Sequence, residues 1–195
     1  MNIAVIGWGS LIWYPGSLLI KTRWFKNGPL LPIEFARISS GDRLTLVLFP
    51  GRKLQPTFWA ISEFEEMGKA RENLRIREGA KNTSPIHGYD KLNTRHGNID
   101  SLVATQIKNW LRERNSLDGV IWAGFQTNWE VKRKTPFNAG EVVRYLQGLD
   151  NQDGAKEYIR NAPCEIRTEI RNSIERELGW NPNPLSRIIF EEEGS

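Results

Sequence analysis

The chain opens on an apolar run, Ile3 to Ile6, that Gly7 stops after a few positions, a length that suits a buried strand better than a helix. "PIEFARISS" and "RLTLVLFPG" follow, parted by Gly41 and Asp42, and predict a hairpin. In its second arm Leu44, Leu46 and Leu48 share one face while Val47 and Phe49 take the other, so both faces call for burial and a central place in a sheet is expected. "PTFWAIS", its start fixed by Pro56, predicts the next strand in pairing order. These segments together predict a sheet or partial barrel in the first third of the chain.

From Glu63 the period changes. "SEFEEMGKARENL" predicts a helix with Ser62 as N-cap and Glu65 completing a capping box, and Phe64, Met67 and Leu74 on its core face. "REGAKNTSPIHGYDKLNTRHGN" is rich in turn formers with little periodicity and predicts a long surface loop. Val103, Ile107, Trp110 and Leu111 fall at helical spacing over Ser101 to Arg114, and "GVIWAGF" predicts one more short strand. The remainder reads as helical. Val142, Tyr145, Leu146 and Leu149 mark one helix, and Ala155, Tyr158, Ile159 and Ala162 a second, ended by Pro163. Ile166, Ile170, Ile174 and Leu178 mark a third, closed by Gly179. Strands first and helices after them predict an α+β class. A single domain over 1–195 is expected, with a barrel core at 1–135 and C-terminal helices at 136–182.

Composition narrows the chemistry. The chain has 195 residues, 39% of them hydrophobic, enough for one substantial core. Its single cysteine, Cys164, cannot form an internal disulfide, and packing is its expected role. The two histidines, His87 and His96, make no zinc-binding spacing, and both fall in the long loop, where a surface position is expected. No metal and no cofactor is expected. No apolar run is long enough for a membrane span, and "MNIAVIGWGSLIW" lacks the basic region and cleavage site of a secretory signal, so no membrane partner and a cytoplasmic location are expected. The net charge of +4 permits an anionic partner without requiring one. Lys132, Arg133 and Lys134 form the compact basic run, offset by Glu191, Glu192 and Glu193, and a solvated loop is the plain reading of such a run.

The candidate chemistry centres on "GWGSLIWYPG". It is not a dinucleotide fingerprint, because the third glycine is missing and a short apolar segment follows. A strand-terminal GxGS turn can still offer several N–H donors to a carboxylate or carbonyl oxygen, with glycines free to take positive φ, or it can be only a tight turn with Trp8 and Trp13 as core aromatics. Ser10 has no elbow motif or matched histidine for a serine hydrolase, and Glu130 in "NWEVKR" is a bare candidate for a second acid. Glu78, beside Arg75 and Arg77, reads by itself as an exposed ion-pair former.

"GWGSLIWYPG" resembles the "GYGSLIWNPG" element that opens the ChaC branch of the γ-glutamylcyclotransferase superfamily, and "NLRIREGA" resembles that family's "YLDxREKGGY" segment. Leu74, Arg77 and Glu78 coincide with the second motif. Trp8 replaces the family tyrosine, Arg75 replaces its aspartate, and "GAKN" stands for "KGGY". The resemblance covers about the first 80 residues. It implies a small mixed barrel with surrounding helices, a cofactor-free release of 5-oxoproline from a small-molecule γ-glutamyl amine or peptide, Glu78 as the catalytic acid and base, and Gly7, Trp8, Gly9, Ser10 and Leu11 as the substrate-binding turn. The alternative from a different class is a non-catalytic binding protein on the same fold. Its basic residues and exposed tryptophans would contact an anionic ligand or nucleic acid, although nucleic acid is not the expected partner.

Overall fold

The computed structural model describes residues 1–92 and 94–183, so the acidic run Glu191–Glu193 lies outside the described residues. The chain divides into two compact units, one from Met1–Leu31 and Pro56–Phe125, the other from Pro32–Gln55 and the segment beginning at Gln126. Each carries its own sheet, and the class is mixed α and β.

The first unit is built on a five-stranded sheet. β1 (Ile3–Gly7), β5 (Phe58–Ile61), β6 (Ile86–Asp90), β7 (Arg95–His96) and β8 (Gly119–Ala123) lie in the order β5-β1-β8-β6-β7. β1 and β8 run parallel, with Ile6 opposite Trp122, and the other pairs are antiparallel. Ile3, Ala4, Val5 and Ile6 are fully buried, as expected of a strand between two neighbours. Helix α1 (Met67–Glu78) ends on Gly79 in the left-handed conformation, whose N–H closes on the carbonyls of Arg75 and Ile76. Helix α2 (Ser101–Arg112) is capped by the Asp100 carboxylate, which accepts from the N–H groups of Leu102 and Val103, and it buries Val103, Ile107, Trp110 and Leu111, the stripe expected from the sequence.

The second unit carries β2 (Leu31–Ile38), β3 (Leu44–Leu48) and β4 (Leu54–Gln55) in the order β3-β2-β4, with four helices, α3 (Trp129–Arg133), α4 (Ala139–Gln147), α5 (Asp153–Asn161) and α6 (Glu169–Leu178). The predicted hairpin forms, with Phe35 opposite Leu46 and Gly41 and Asp42 both at positive φ in the short 3-10 turn between the arms. Glu34, only 1% exposed, accepts from the Phe35 N–H. Burial pushes its carboxyl up, against hydrogen bonds from Thr168 and from the backbone at Phe35 and Ile170. It therefore serves the start of α6, where the Thr168 side chain accepts from the Arg171 N–H.

Five expectations are corrected here. β3 is an edge strand, not a central one. Its leucines are still buried, and the hydroxyl of Tyr158 on α5 accepts from the Leu46 N–H at 3.3 Å, so a side chain covers what a neighbouring strand would otherwise take. "PTFWAIS" does pair, but with β1 in the other unit's sheet rather than next to β3. The helix expected from Ser62 starts at Met67. Ser62 instead bridges to Ile20, and its hydroxyl accepts from the Phe64 N–H, a local turn that competes with a helical start. The long loop expected from Arg77 to Asn98 contains β6, whose five residues are all buried inside the sheet. Among the described residues the strands form two open sheets and no closed barrel. The three C-terminal helices form as predicted, joined by the short α3, which carries Lys132 and Arg133 on an exposed surface with the guanidinium of Arg133 stacked 4.9 Å over Tyr145. Among the described residues no helix is long and apolar enough to cross a membrane.

Candidate functional site

β1 delivers the chain into the turn Trp8–Leu11, which is braced by hydrogen bonds from the Ile12 N–H to the Gly9 carbonyl and from the Tyr14 N–H to the Ser10 carbonyl. Gly9, Leu11 and Trp8 are buried, and Ser10 is half-buried. The N–H groups of Gly9, Ser10 and Leu11 meet no acceptor among the described residues. The glycines do not take the positive φ expected for this turn, since the left-handed glycine in the neighbourhood is Gly16. Gly7 is required for a different reason. A Cβ there would lie 2.9 Å from two ring atoms of Trp24 and 3.0 Å from Ile12 Cδ1, so the indole packs directly on the strand end and fixes where the turn begins. Gly7→Ala is expected to destabilise the protein by about 1–3 kcal/mol, read as a lowered urea midpoint at unchanged slope, because Trp24 and Ile12 are both buried and have little room to yield.

α1 supplies the second half of the site. Ala70 and Leu74 form its buried stripe, and Glu78 occupies the next position of that stripe, one turn beyond Leu74, where another apolar residue would be expected. The Glu78 side chain is 17% exposed. Burial pushes its carboxyl above the ordinary glutamate range, and the charge and hydrogen bond of Arg77 offset this only in part. Its place at the helix C-terminus disfavours the ionised form further.

Arg77 joins the two halves. One guanidinium nitrogen donates to Glu78 Oε1 at 3.0 Å, and the other donates to Ser10 Oγ at 3.0 Å and to the Tyr14 carbonyl at 2.7 Å. With its side chain 10% exposed, it is a positioned fork rather than a solvated cation. Glu78, Ser10 and the turn amides are thus gathered at one end of β1 and α1. Arg75 turns away from this place, to Glu72 and the Ala80 carbonyl.

Other candidates fall away from this place. Glu130 is exposed on α3. Cys164 is exposed rather than packed, its thiol 3.5 Å from Glu165 Oε2, because the preceding Pro163 and following Ile166 take the buried positions. His96 is half-buried on β7. His87, expected on the surface, is buried inside β6. Seven of the eight tryptophans are buried, with Trp13 the half-buried one, so the indole faces needed to stack nucleic-acid bases are occupied by the core. Comparison of the chain with protein-family models, with curated proteins and with solved structures finds no match.

Proposed function

We propose that the protein is a γ-glutamylcyclotransferase-type enzyme that cyclises a γ-glutamyl amine or peptide to 5-oxoproline and releases the amine. The observation that carries this reading is the largely shielded carboxyl of Glu78 at the end of the α1 stripe, tied through Arg77 to Ser10 of a turn in which the N–H groups of Gly9, Ser10 and Leu11 meet no acceptor among the described residues.

The chemistry suits these groups. The α-ammonium of the substrate gives a proton to Glu78, and the freed amine attacks its own γ-carbonyl. The attack closes a five-membered ring, so the nucleophile arrives already positioned. Negative charge builds on the carbonyl oxygen, which can accept hydrogen bonds from the N–H groups of Gly9, Ser10 and Leu11. As the C–N bond to the leaving amine breaks, Glu78 returns the proton to that nitrogen, then takes the second proton from the ring nitrogen and passes it to the departing amine, which leaves as an ammonium while the carboxylate is restored. A carboxyl with a raised pKa is suited to both transfers.

The test is release of 5-oxoproline and free amine from a panel of γ-glutamyl amines and peptides, glutathione included. One-to-one release of the two products supports the reading, and a folded protein that releases neither from any member overturns it. The role of Arg77 is tested separately. Arg77→Gln is expected to lower kcat by about 10²-fold through loss of geometry. It should also move the acid limb of the pH–rate profile upward, since the cation and hydrogen bond that hold the Glu78 carboxyl down are gone. A purely structural arginine would lower activity without moving that limb.

A further inference from the structure

We propose that His87 is an acid-sensitive latch: its neutral ring pins the edge strand β7 to the sheet of the first unit, and its protonation releases that edge. This goes beyond the cyclotransferase reading and does not depend on it. His87 lies in β6, opposite Trp122 of β8, with β7 on the other side. Its imidazole is clamped between the two glycines that follow those flanking strands. A Cβ on Gly97 would sit 2.5 Å from His87 Cδ2, and one on Gly124 would sit 2.3 Å from Cε1 and 2.4 Å from Nδ1. Gly97 also has φ +94°, a conformation few other residues adopt, so the β7 end is shaped to reach the ring. The ring is only 7% exposed, and Nδ1 is buried with no hydrogen-bond partner among the described residues. The Trp122 indole, edge-on at 5.8 Å, likewise has a buried Nε1 without a partner. His87 therefore packs as an aromatic wedge, a role open to the neutral ring alone.

The charged groups around it are unfavourable to an imidazolium. From α1, Arg71 holds its guanidinium on the carbonyls of Ile86 and Thr83. From β7, Arg95 is anchored on the Ile99 carbonyl. Both cations, together with burial, lower the basicity of His87, burial being the larger effect. On β6 itself the Asp90 carboxylate is taken by the Thr94 N–H, and Lys108 of α2 lies over the Tyr89 ring. His96, the second residue of β7, pairs opposite Gly88. A protonated His87 would thus be a further buried cation with no acceptor at Nδ1. β8 is held between two strands, whereas β7 is two residues long at the sheet edge, so β7 is the side that yields.

Because the folded state disfavours the charged ring, the contribution of His87 is fully present above the ordinary histidine value of 6.5 and is lost as pH falls below it. The equilibrium constant for β7 opening should rise by up to about tenfold per pH unit there. The experiment is residue-resolved amide hydrogen exchange from pH 8 to pH 5, corrected for intrinsic rates, together with NMR titration of the His87 ring in the same sample. Protection of the β6 and β7 amides that face each other is expected to fall below about pH 6.5 in the wild type, ahead of the folded His87 ring's own titration and levelling off where that ring protonates, and to stay flat in His87→Phe, which keeps the wedge without the titration. Flat protection in the wild type overturns the proposal, as does an equal fall in His87→Phe. Should that variant fail to fold, a His87 ring that titrates at or above the ordinary histidine value of 6.5 in the folded wild type overturns it equally.

Discussion

Glu78→Gln is expected to abolish 5-oxoproline release, a loss of about 10²–10⁴-fold, while making the protein more stable at pH 7. Both effects have one cause. The folded state raises the Glu78 carboxyl above its ordinary value by burying it, with Arg77 as a weaker opposing influence. A carboxyl raised in this way adds stability below the unfolded value of 4.5, and that contribution is lost as pH rises through the folded value. At neutral pH the buried ionised group therefore strains the fold. The neutral amide of glutamine has nearly the same shape, can still accept from Arg77, and needs no charge in a poorly solvated place. The measurements are product release and thermal unfolding on the same preparations. Lost activity with a higher Tm at pH 7, and a difference in Tm that shrinks towards pH 4, is the expected outcome. Lost activity with a lower Tm would mark Glu78 as a structural residue, and retained activity would remove it from the chemistry.

The largest stability loss is expected in the second unit, at Arg171→Leu. Arg171 is fully buried, yet none of its donors is idle: Nη1 donates to the carbonyls of Pro163 at 2.7 Å and Ile166 at 3.0 Å, and Nη2 to those of Ile159 at 3.1 Å and Ala162 at 2.9 Å. Nε donates to Glu175 at 3.1 Å, and the guanidinium lies 5.8 Å from the Phe35 ring centre. One side chain thus closes the C-terminal carbonyls of α5, holds the connection into α6 and packs on the sheet. Apolar replacements of buried charges are often harmless when the partner leaves too, but these partners are backbone carbonyls and stay behind. The Pro163 carbonyl keeps the Ile166 N–H, while those of Ile159, Ala162 and Ile166 lose this donor, so at about 1 kcal/mol or more for each the loss should exceed about 3 kcal/mol, a large share of a typical folding free energy. Urea unfolding read on the far-UV signal checks it, and a midpoint within experimental error of wild type would show that those carbonyls find other donors.

Much of this architecture could be read from residue patterning where one face of an element is buried and the other is wet. The stripe Val103, Ile107, Trp110 and Leu111 located α2, and the β2–β3 hairpin followed from its apolar arms and from Gly41 and Asp42 between them. Apolar runs buried on both faces, such as Ile3–Ile6, were still legible from their length, and patterning failed where such a strand carries polar or turn-forming residues or where burial could not say what covers it. Ile86–Asp90 looks like loop in sequence, with a glycine, a histidine and an aspartate among its five residues, yet it lies within the sheet. Burial on both faces made β3 look central, since Tyr158 and the helix that carries it supply burial that the strand's own sequence cannot distinguish from a neighbouring strand. At the candidate site, the residue type of Glu78 and its spacing from Leu74 were visible, but its burial and its link to Ser10 through Arg77 depend on a contact across 67 positions of chain. His87 was hidden for a related reason: Gly97 and Gly124 acquire meaning only when folding brings them to either side of the same ring.

The placing of the tryptophans gives the molecule its own optical probe. With seven indoles in the core and Trp13 half-buried in the segment just after the Ser10 turn, emission should be dominated by shielded, blue-shifted fluorophores, while collisional quenching by a small solute such as acrylamide acts chiefly on Trp13. A compound that seats itself on the turn can then be followed in solution through the quenchable fraction of the light, with no label attached and no turnover needed.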